Sequence, residues 1–429
     1  MSNSFKLVNA RLASNERTSL TVESGVITSI GENSSGSLEE IDLKGKLLCP
    51  SFVDLHTHLR EPGKEDAETV ASGTRAAVRG GFGAIFAMPN TNPVADTAGV
   101  VEQVHSLGIE EGRCDVLPIG AVTRGQEGKQ LAEILAMAHS RANVRVFSDD
   151  GHCVSDSLLM RRALEYVKIF DGVIAQHAQD PELTKDAQMN EGVISSRLGL
   201  KGWPAVAEEA IIARDVLLAD HVGSRLHICH VSTEGSVEIV RWAKARGIQV
   251  TAEVTPHHLL LTDDLASTFN PIYKVNPPLR TERDVHALRD GVADGTIDIV
   301  ATDHAPHPLE AKECEWPAAA FGMIGLESAF AIAYHSLVKS GSISLQTLIA
   351  AMTTKPAVIG GLSDRMSGLT VGAPACLAVI DLERTWTIDR EKVESKSSNT
   401  PFHGFEVEGL VESVLYRGQW VMRDGVIRK

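Results

Sequence analysis

Sixteen histidines lie along the 429-residue chain. Several stand in close groups: His56 with His58, His227 with His230, His257 with His258, and His304 with His307. Aspartates share or flank the same kind of segment, as in Asp54-Leu55-His56-Thr57-His58, Ser148-Asp149-Asp150-Gly151 and Thr302-Asp303-His304-Ala305-Pro306-His307. Imidazoles beside carboxylates are the donors that a divalent metal needs. His56 and His58 frame one residue, so on a strand both face the same side and can reach one ion. Nitrogen and oxygen donors without thiolate suit Zn²⁺, or a similar ion, in a catalytic rather than a structural site. A lone His-x-His motif is weak, because histidines can equally cap strands and bond to backbone.

The elements that would position these residues are legible as a pattern. Both ends of the chain read as short strands: Phe5 to Ala10, Ser19 to Val22 and Val26 to Ile30, then Leu377 to Ile380, Phe405 to Val407 and Ser413 to Tyr416, with Val421 and Met422 joined by an Asp-Gly turn at Asp424 and Gly425 to Val426 and Ile427. In between, eight apolar runs alternate with amphipathic stretches. The runs are Leu47 to Leu55, Ala84 to Met88, Val116 to Ile119, Val144 to Phe147, Val173 to Ala175, Leu226 to Cys229, Val250 to Val254 and Ile297 to Ala301. The clearest helical stretches are Ala67 to Arg79, Leu158 to Tyr166, Ala205 to Leu218 and Gly235 to Ala245. This alternation predicts α/β architecture, either a (β/α)8 TIM-like barrel over residues 51–365 or a doubly wound sheet. In a barrel, catalytic side chains come from the C-terminal ends of strands. Five of the eight runs end in metal-capable residues: His56 and His58, Asp150, His177, His230, and Asp303. The β-rich ends, 1–50 and 366–429, are each too small to stand alone and are expected to pair into one small composite domain.

Composition narrows the function further. A net charge of −15 and the lack of any Lys/Arg run argue against binding a nucleic-acid backbone. No apolar run is long enough for a membrane span. The N-terminus lacks a basic segment followed by an apolar core, so no secretory signal is expected. The six cysteines are scattered without a Cys-x-x-Cys pair and read as free thiols in a reducing cytoplasm.

The segment from Asp54 to Gly63, Asp-Leu-His-Thr-His-Leu-Arg-Glu-Pro-Gly, resembles the signature of class I dihydroorotases in the amidohydrolase superfamily. So do Met88 to Thr91, Phe147 to Gly151, His227 to Thr233, Asn276 to Arg280 and Ala301 to His307, in order along nearly the whole chain. The resemblance implies a (β/α)8 barrel with a small β-sandwich domain formed by both termini. It implies one or two zinc ions per subunit, with His56 and His58 on one, His177 and His230 on the other, Asp150 bridging, and Asp303 as ligand and catalytic acid/base. Arg60, Asn90 and His307 would hold the substrate carboxylate, with His58 also in contact. Asn276 and the backbone of Phe321 and Gly322 would meet the pyrimidine ring. The substrates implied are N-carbamoyl-L-aspartate and L-dihydroorotate, in pyrimidine (UMP) synthesis in the cytoplasm, with no nucleic acid or membrane partner. A homo-oligomer is expected, with room for association with aspartate transcarbamoylase.

The alternatives are another cyclic amide hydrolase, such as a dihydropyrimidinase, hydantoinase or allantoinase, or a non-catalytic scaffold. Those other hydrolases bridge their metals with a carboxylated lysine. Lys168 could be mistaken for it, yet it ends a helical pattern, whereas Asp150 stands where the bridge belongs. His257 and His258 are expected in structural hydrogen bonds, His227 against the wall, His304 behind the ligands, and Asp149 as a helix cap. Glu208 and Arg214 read as a pair on one helix, and a mobile loop over the substrate is expected near Pro306 to Phe321.

Overall fold

The computed structural model describes residues 4–31 and 38–428. Strands from both ends of the chain share one nine-stranded sheet. The joint is an antiparallel pairing of Leu47–Pro50 with Leu377–Thr387, in which Ala378 faces Cys49 and Ile380 faces Leu47. Phe5, Leu7, Leu20, Val22, Leu48, Leu377, Val379 and Leu415 form one apolar cluster on this sheet. That burial is what neither terminus could supply alone.

The middle of the chain alternates strands and helices. Phe52–Thr57, Phe82–Ala87 and Asp115–Pro118 pair in parallel, as do Val146–Phe147, Val173–Gln176, Arg225–Ile228, Val250–Val254 and Ile299–Val300. Two parallel bridges join the groups, Gly120 with Phe147 and Thr57 with His304. The architecture is therefore mixed α/β, with a sheet built from the termini. These strands carry apolar residues on both faces. Val53, Leu55, Ala84, Phe86, Val173 and Ala175 belong to one apolar cluster, while Phe52, Ile85, Ile174 and Leu226 belong to another that includes the helices. Continuous apolar runs are what a parallel sheet covered on both faces requires.

Helix starts are set by side chains that satisfy free N–H groups. Thr69 accepts from Ser72 N at the start of Val70–Arg79, Asp156 from Leu159 N at Ser157–Lys168, and Thr233 from Ser236 N at Glu234–Ala245. Gly223, at φ +65°, closes Val206–Val222 in the left-handed conformation that a Cβ disfavours.

Two strands expected from the sequence differ in the structure, and one was not expected. The run Leu47 to Leu55 is two strands: Leu47–Pro50 belongs to the terminal sheet and Phe52–Thr57 to the parallel set. The expected strands Phe405 to Val407 and Ser413 to Tyr416 are one strand, Glu406–Tyr416, which bends through Gly409 at φ +89°. Glu39–Asp42 is an unforeseen strand, parallel to Phe5–Arg11. It is polar and exposed, so no apolar pattern announces it.

Candidate metal centre

His56 stands at the end of Phe52–Thr57, where the pairing register shifts between Asp54 and Thr57. Such irregularities re-aim side chains at strand ends. Asp54 locks the turn, accepting from Thr302 N (2.9 Å), Thr302 Oγ1 (2.5 Å) and Thr57 Oγ1 (2.6 Å). That ties the first parallel strand to the last. His58, Asp150, His177, His230 and Asp303 all follow the C-terminal ends of parallel strands, so one rim gathers all six expected ligands.

Asp150 lies in the middle. Its Oδ1 is 3.2 Å from His56 Nε2, 3.2 Å from His177 Nδ1 and 3.4 Å from His230 Nε2, and its Oδ2 is 3.4 Å from His58 Nε2. Asp303 Oδ1 is 3.1 Å from His58 Nε2 and 3.5 Å from His56 Nε2. Two groups of potential ligands emerge, His56-Asp150-His230 and His56-His58-Asp303, each with its donor atoms within 4.8 Å of one another. Asp303 (φ +44°) and His230 (φ +30°) hold left-handed backbone conformations that cost energy outside glycine.

The residues fit a cation on three observations. The outer nitrogens of three imidazoles already face oxygen: His56 Nδ1 on Glu253 Oε1 (2.6 Å), His58 Nδ1 on Asn90 Oδ1 (3.0 Å) and His177 Nε2 on Gln179 Oε1 (2.7 Å). Those bonds hold a proton on each outer nitrogen and aim the inner nitrogen at the centre, the arrangement metal ligation needs. His56 Nε2 is fully buried and has no hydrogen-bond partner, which is costly unless something positive meets it. Finally, three carboxylates converge. Burial works to raise the pKa of Asp150, Asp303 and Glu253, yet the nearby histidines, His56 first, hold all three below the ordinary carboxylate range. Burial alone would lower His56, but the charges of Asp150, Glu253 and Asp303 hold it well above its ordinary value. Cys229 also approaches His56 and Glu253, but burial pushes its thiol up, so it stays a protonated core residue.

The expected substrate residues form two banks. Arg60, at φ +62°, is buried and donates from Nε to Pro306 O (3.1 Å). Burial pulls its pKa down to about 10, against the charges of Asp303 and Asp150. His307 bonds through Nε2 to Phe321 O (2.8 Å). A Cβ at Gly322 would stand 2.7 Å from His307 Nε2, and φ there is +143°, so only glycine fits. On the other bank, Asn276 donates from Nδ2 to Gln179 Oε1 (3.0 Å). The banks meet through Lys274, whose carbonyl accepts from Gly322 N (3.0 Å). Most backbone polar groups of Phe321 and Gly322 are engaged: Gly322 O also accepts from Lys312 Nζ (3.0 Å) and Asn399 Nδ2 (3.2 Å). The Lys312 ammonium donates to Lys274 O and Ala320 O as well (3.0 and 2.9 Å), which pins the segment read as a loop.

His258 bonds Thr255 Oγ1 and Pro277 O, while His257 Nε2 is buried without a partner. His227 does not merely line the wall; it bonds Thr251 Oγ1 (2.8 Å) and Glu253 Oε2 (3.0 Å). Asp149 caps no helix. It accepts from Val122 N and Thr123 N and anchors the neighbouring loop. Glu208 and Arg214 do not pair: Glu208 holds Ser232, and Arg214 holds Asp215 and Val154 O. Lys168 Nζ bonds Val222 O at a helix end. Glu253, Gln179 and Glu68 were missed. The signal for Glu253 was available, since a carboxylate inside an apolar run must have a buried partner.

Comparisons with known proteins give the family. The family described as "Dihydro-orotase-like" matches residues 45–236. A dihydroorotase of Streptomyces coelicolor is 59% identical over 417 residues, 97% of this chain and 97% of that protein. The chain belongs to the dihydroorotase family. A dihydroorotase of Leifsonia xyli subsp. xyli is 58% identical over 424 residues, 99% of this chain and 97% of its own length. Among solved structures, an L-hydantoinase (dihydropyrimidinase) from Arthrobacter aurescens aligns with a TM-score of 0.88, covering 100% of this chain and 98% of its own at 24% identity. That likeness establishes a shared fold. As a member of the dihydroorotase family the chain is a hydrolase acting on a small molecule. Among the described residues no helix is long and apolar enough to cross a membrane.

Proposed function

We propose that the chain catalyses the reversible, zinc-dependent cyclisation of N-carbamoyl-L-aspartate to L-dihydroorotate, the dihydroorotase step of pyrimidine synthesis. The observation that carries this reading is Asp150, an aspartate and not a lysine, within 3.4 Å of all four expected histidine ligands. His56 and His58 would hold one ion, His177 and His230 a second, with Asp150 between them and Asp303 beside the first. Ions bound there would bring a water's pKa toward neutrality and polarise the amide carbonyl.

The chain's own groups do the rest. In the hydrolytic direction Asp303 takes a proton from the attacking water and delivers it to the ring nitrogen as the C–N bond breaks. Synthesis reverses these steps. Arg60 can grip the substrate carboxylate bidentately, and Asn90, whose Oδ1 lies 3.0 Å from His58 Nδ1, would assist it through its amide NH₂. His307 needs a condition. Burial first, then the charges of Arg60 and Lys312, hold its pKa down to about 3. With Nε2–H on Phe321 O, a neutral ring presents only a lone pair at Nδ1. Gripping a carboxylate through Nδ1 therefore requires His307 to gain a proton as the anion arrives.

In this proposal the parallel strands form a (β/α)8 barrel over 51–365, supported by the two bridges that link the strand groups. Residues 1–50 and 366–429 form the composite β-sandwich domain. The enzyme works in the cytoplasm as a homo-oligomer, with docking to aspartate transcarbamoylase tested by co-sedimentation. The reading is tested by assaying the purified, zinc-loaded protein with dihydroorotate, dihydrouracil, hydantoin and allantoin. Turnover of dihydroorotate alone is expected. Preference for any of the others would overturn it.

A further inference from the structure

Gln179 touches both a metal-ligand candidate and a substrate-ring candidate through one atom. Its Oε1 faces His177 Nε2 at 2.7 Å and Asn276 Nδ2 at 3.0 Å. Its orientation is fixed from behind. Thr184 spends its single hydroxyl proton on Asp180 O (2.8 Å), so its oxygen can only accept from Gln179 Nε2, 2.9 Å away. The amide nitrogen must therefore point to Thr184 and the oxygen to the site.

Two polarities follow from that single orientation. His177 must carry its proton on Nε2, which leaves the Nδ1 lone pair facing Asp150 and His230. Asn276 must turn its NH₂ to Gln179, which leaves its Oδ1 as a bare acceptor. That Oδ1 is buried and has no partner, a costly state for an amide oxygen unless a ligand donor completes it. We infer that Gln179 is a positioning residue that sets the metal-binding tautomer of His177 and, at the same time, makes Asn276 a reader of a substrate N–H. This deepens the proposed function and rests on it for the identity of that N–H.

The test uses the full chain with Gln179→Leu and Gln179→Glu. Glutamate keeps an acceptor for both partners and loses only the donation to Thr184. Divalent-ion affinity is measured by competition with a chelator, independently of turnover. Gln179→Leu is expected to weaken Zn²⁺ binding about 10- to 100-fold. At saturating Zn²⁺ it is expected to raise KM for dihydroorotate roughly tenfold, with kcat changed less. Gln179→Glu is expected to restore most of both. In an Asn276→Ala background the KM effect of Gln179→Leu should vanish while the metal effect persists. Wild-type Zn²⁺ affinity and KM in a folded Gln179→Leu would overturn the inference, as would equal losses in the Leu and Glu variants. If the unmodified protein binds Zn²⁺ but leaves dihydroorotate untouched, the functional reading fails, while the chelator arm still decides the role of Gln179 toward His177.

Discussion

His56 and His304 lie beside paired strands at the same rim, and each gives one ring nitrogen to a buried glutamate. His56 Nδ1 meets Glu253 at 2.6 Å, and His304 Nε2 meets Glu68 at 3.2 Å. The difference lies in the other nitrogen. His304 Nδ1 accepts from Gly325 N (3.2 Å) and Leu326 N (3.4 Å), and Glu68 is further engaged by Ser72, Ser395 and Lys396 N. That region is closed on itself and holds chain together. His56 Nε2 has no partner and faces Asp150 and Asp303. Burial and residue type are alike in the two regions. What separates an ion site from a structural pair is which hydrogen-bonding capacity is left unspent.

The largest expected effect tests that distinction directly. His56→Ala removes a member of both ligand groups, and dihydroorotate turnover should fall to background with bound zinc reduced. His304→Ala should retain zinc but lower stability by about 3 kcal/mol, because it strands the buried Glu68 charge. Zinc content and thermal melts on both variants check this, and zinc loss from His304→Ala would erase the contrast. Next comes Asp303→Asn. It should keep zinc and fold but lose at least about 10²-fold in kcat, the usual contribution of one general acid/base; near-normal kcat would remove its assigned role. The smallest effect compares the two glutamates. Glu253→Gln should weaken zinc affinity about 10- to 100-fold, while Glu68→Gln should leave it unchanged and move only Tm.

The candidate ligands were legible because their chemistry is local. Metal-capable residues follow apolar runs at His56, Asp150, His177, His230 and Asp303, and strand ends are where such residues act. The joining of the two termini was legible as well, since short strands need partners. The supporting residues were not. Glu253 reaches His56 across 197 positions and Glu68 reaches His304 across 236, and nothing in a local pattern encodes such pairings. Gln179 sits two residues from His177, but its importance lies in the orientation that Thr184 imposes. His227 looked like wall because strand periodicity assigns a face and says nothing of the neighbouring strand's Glu253. Glu39–Asp42 escaped notice because an exposed polar strand has no alternation to read.

The proposed function makes the cluster around Asp150 a catalytic metal site for dihydroorotate. The most direct measurement is zinc stoichiometry and dihydroorotate turnover on one purified sample, before and after removal and restoration of the metal. Turnover that rises and falls with one or two zinc ions per chain is the predicted result. Undiminished turnover after complete metal removal, or a zinc-loaded protein inert toward dihydroorotate, would contradict it.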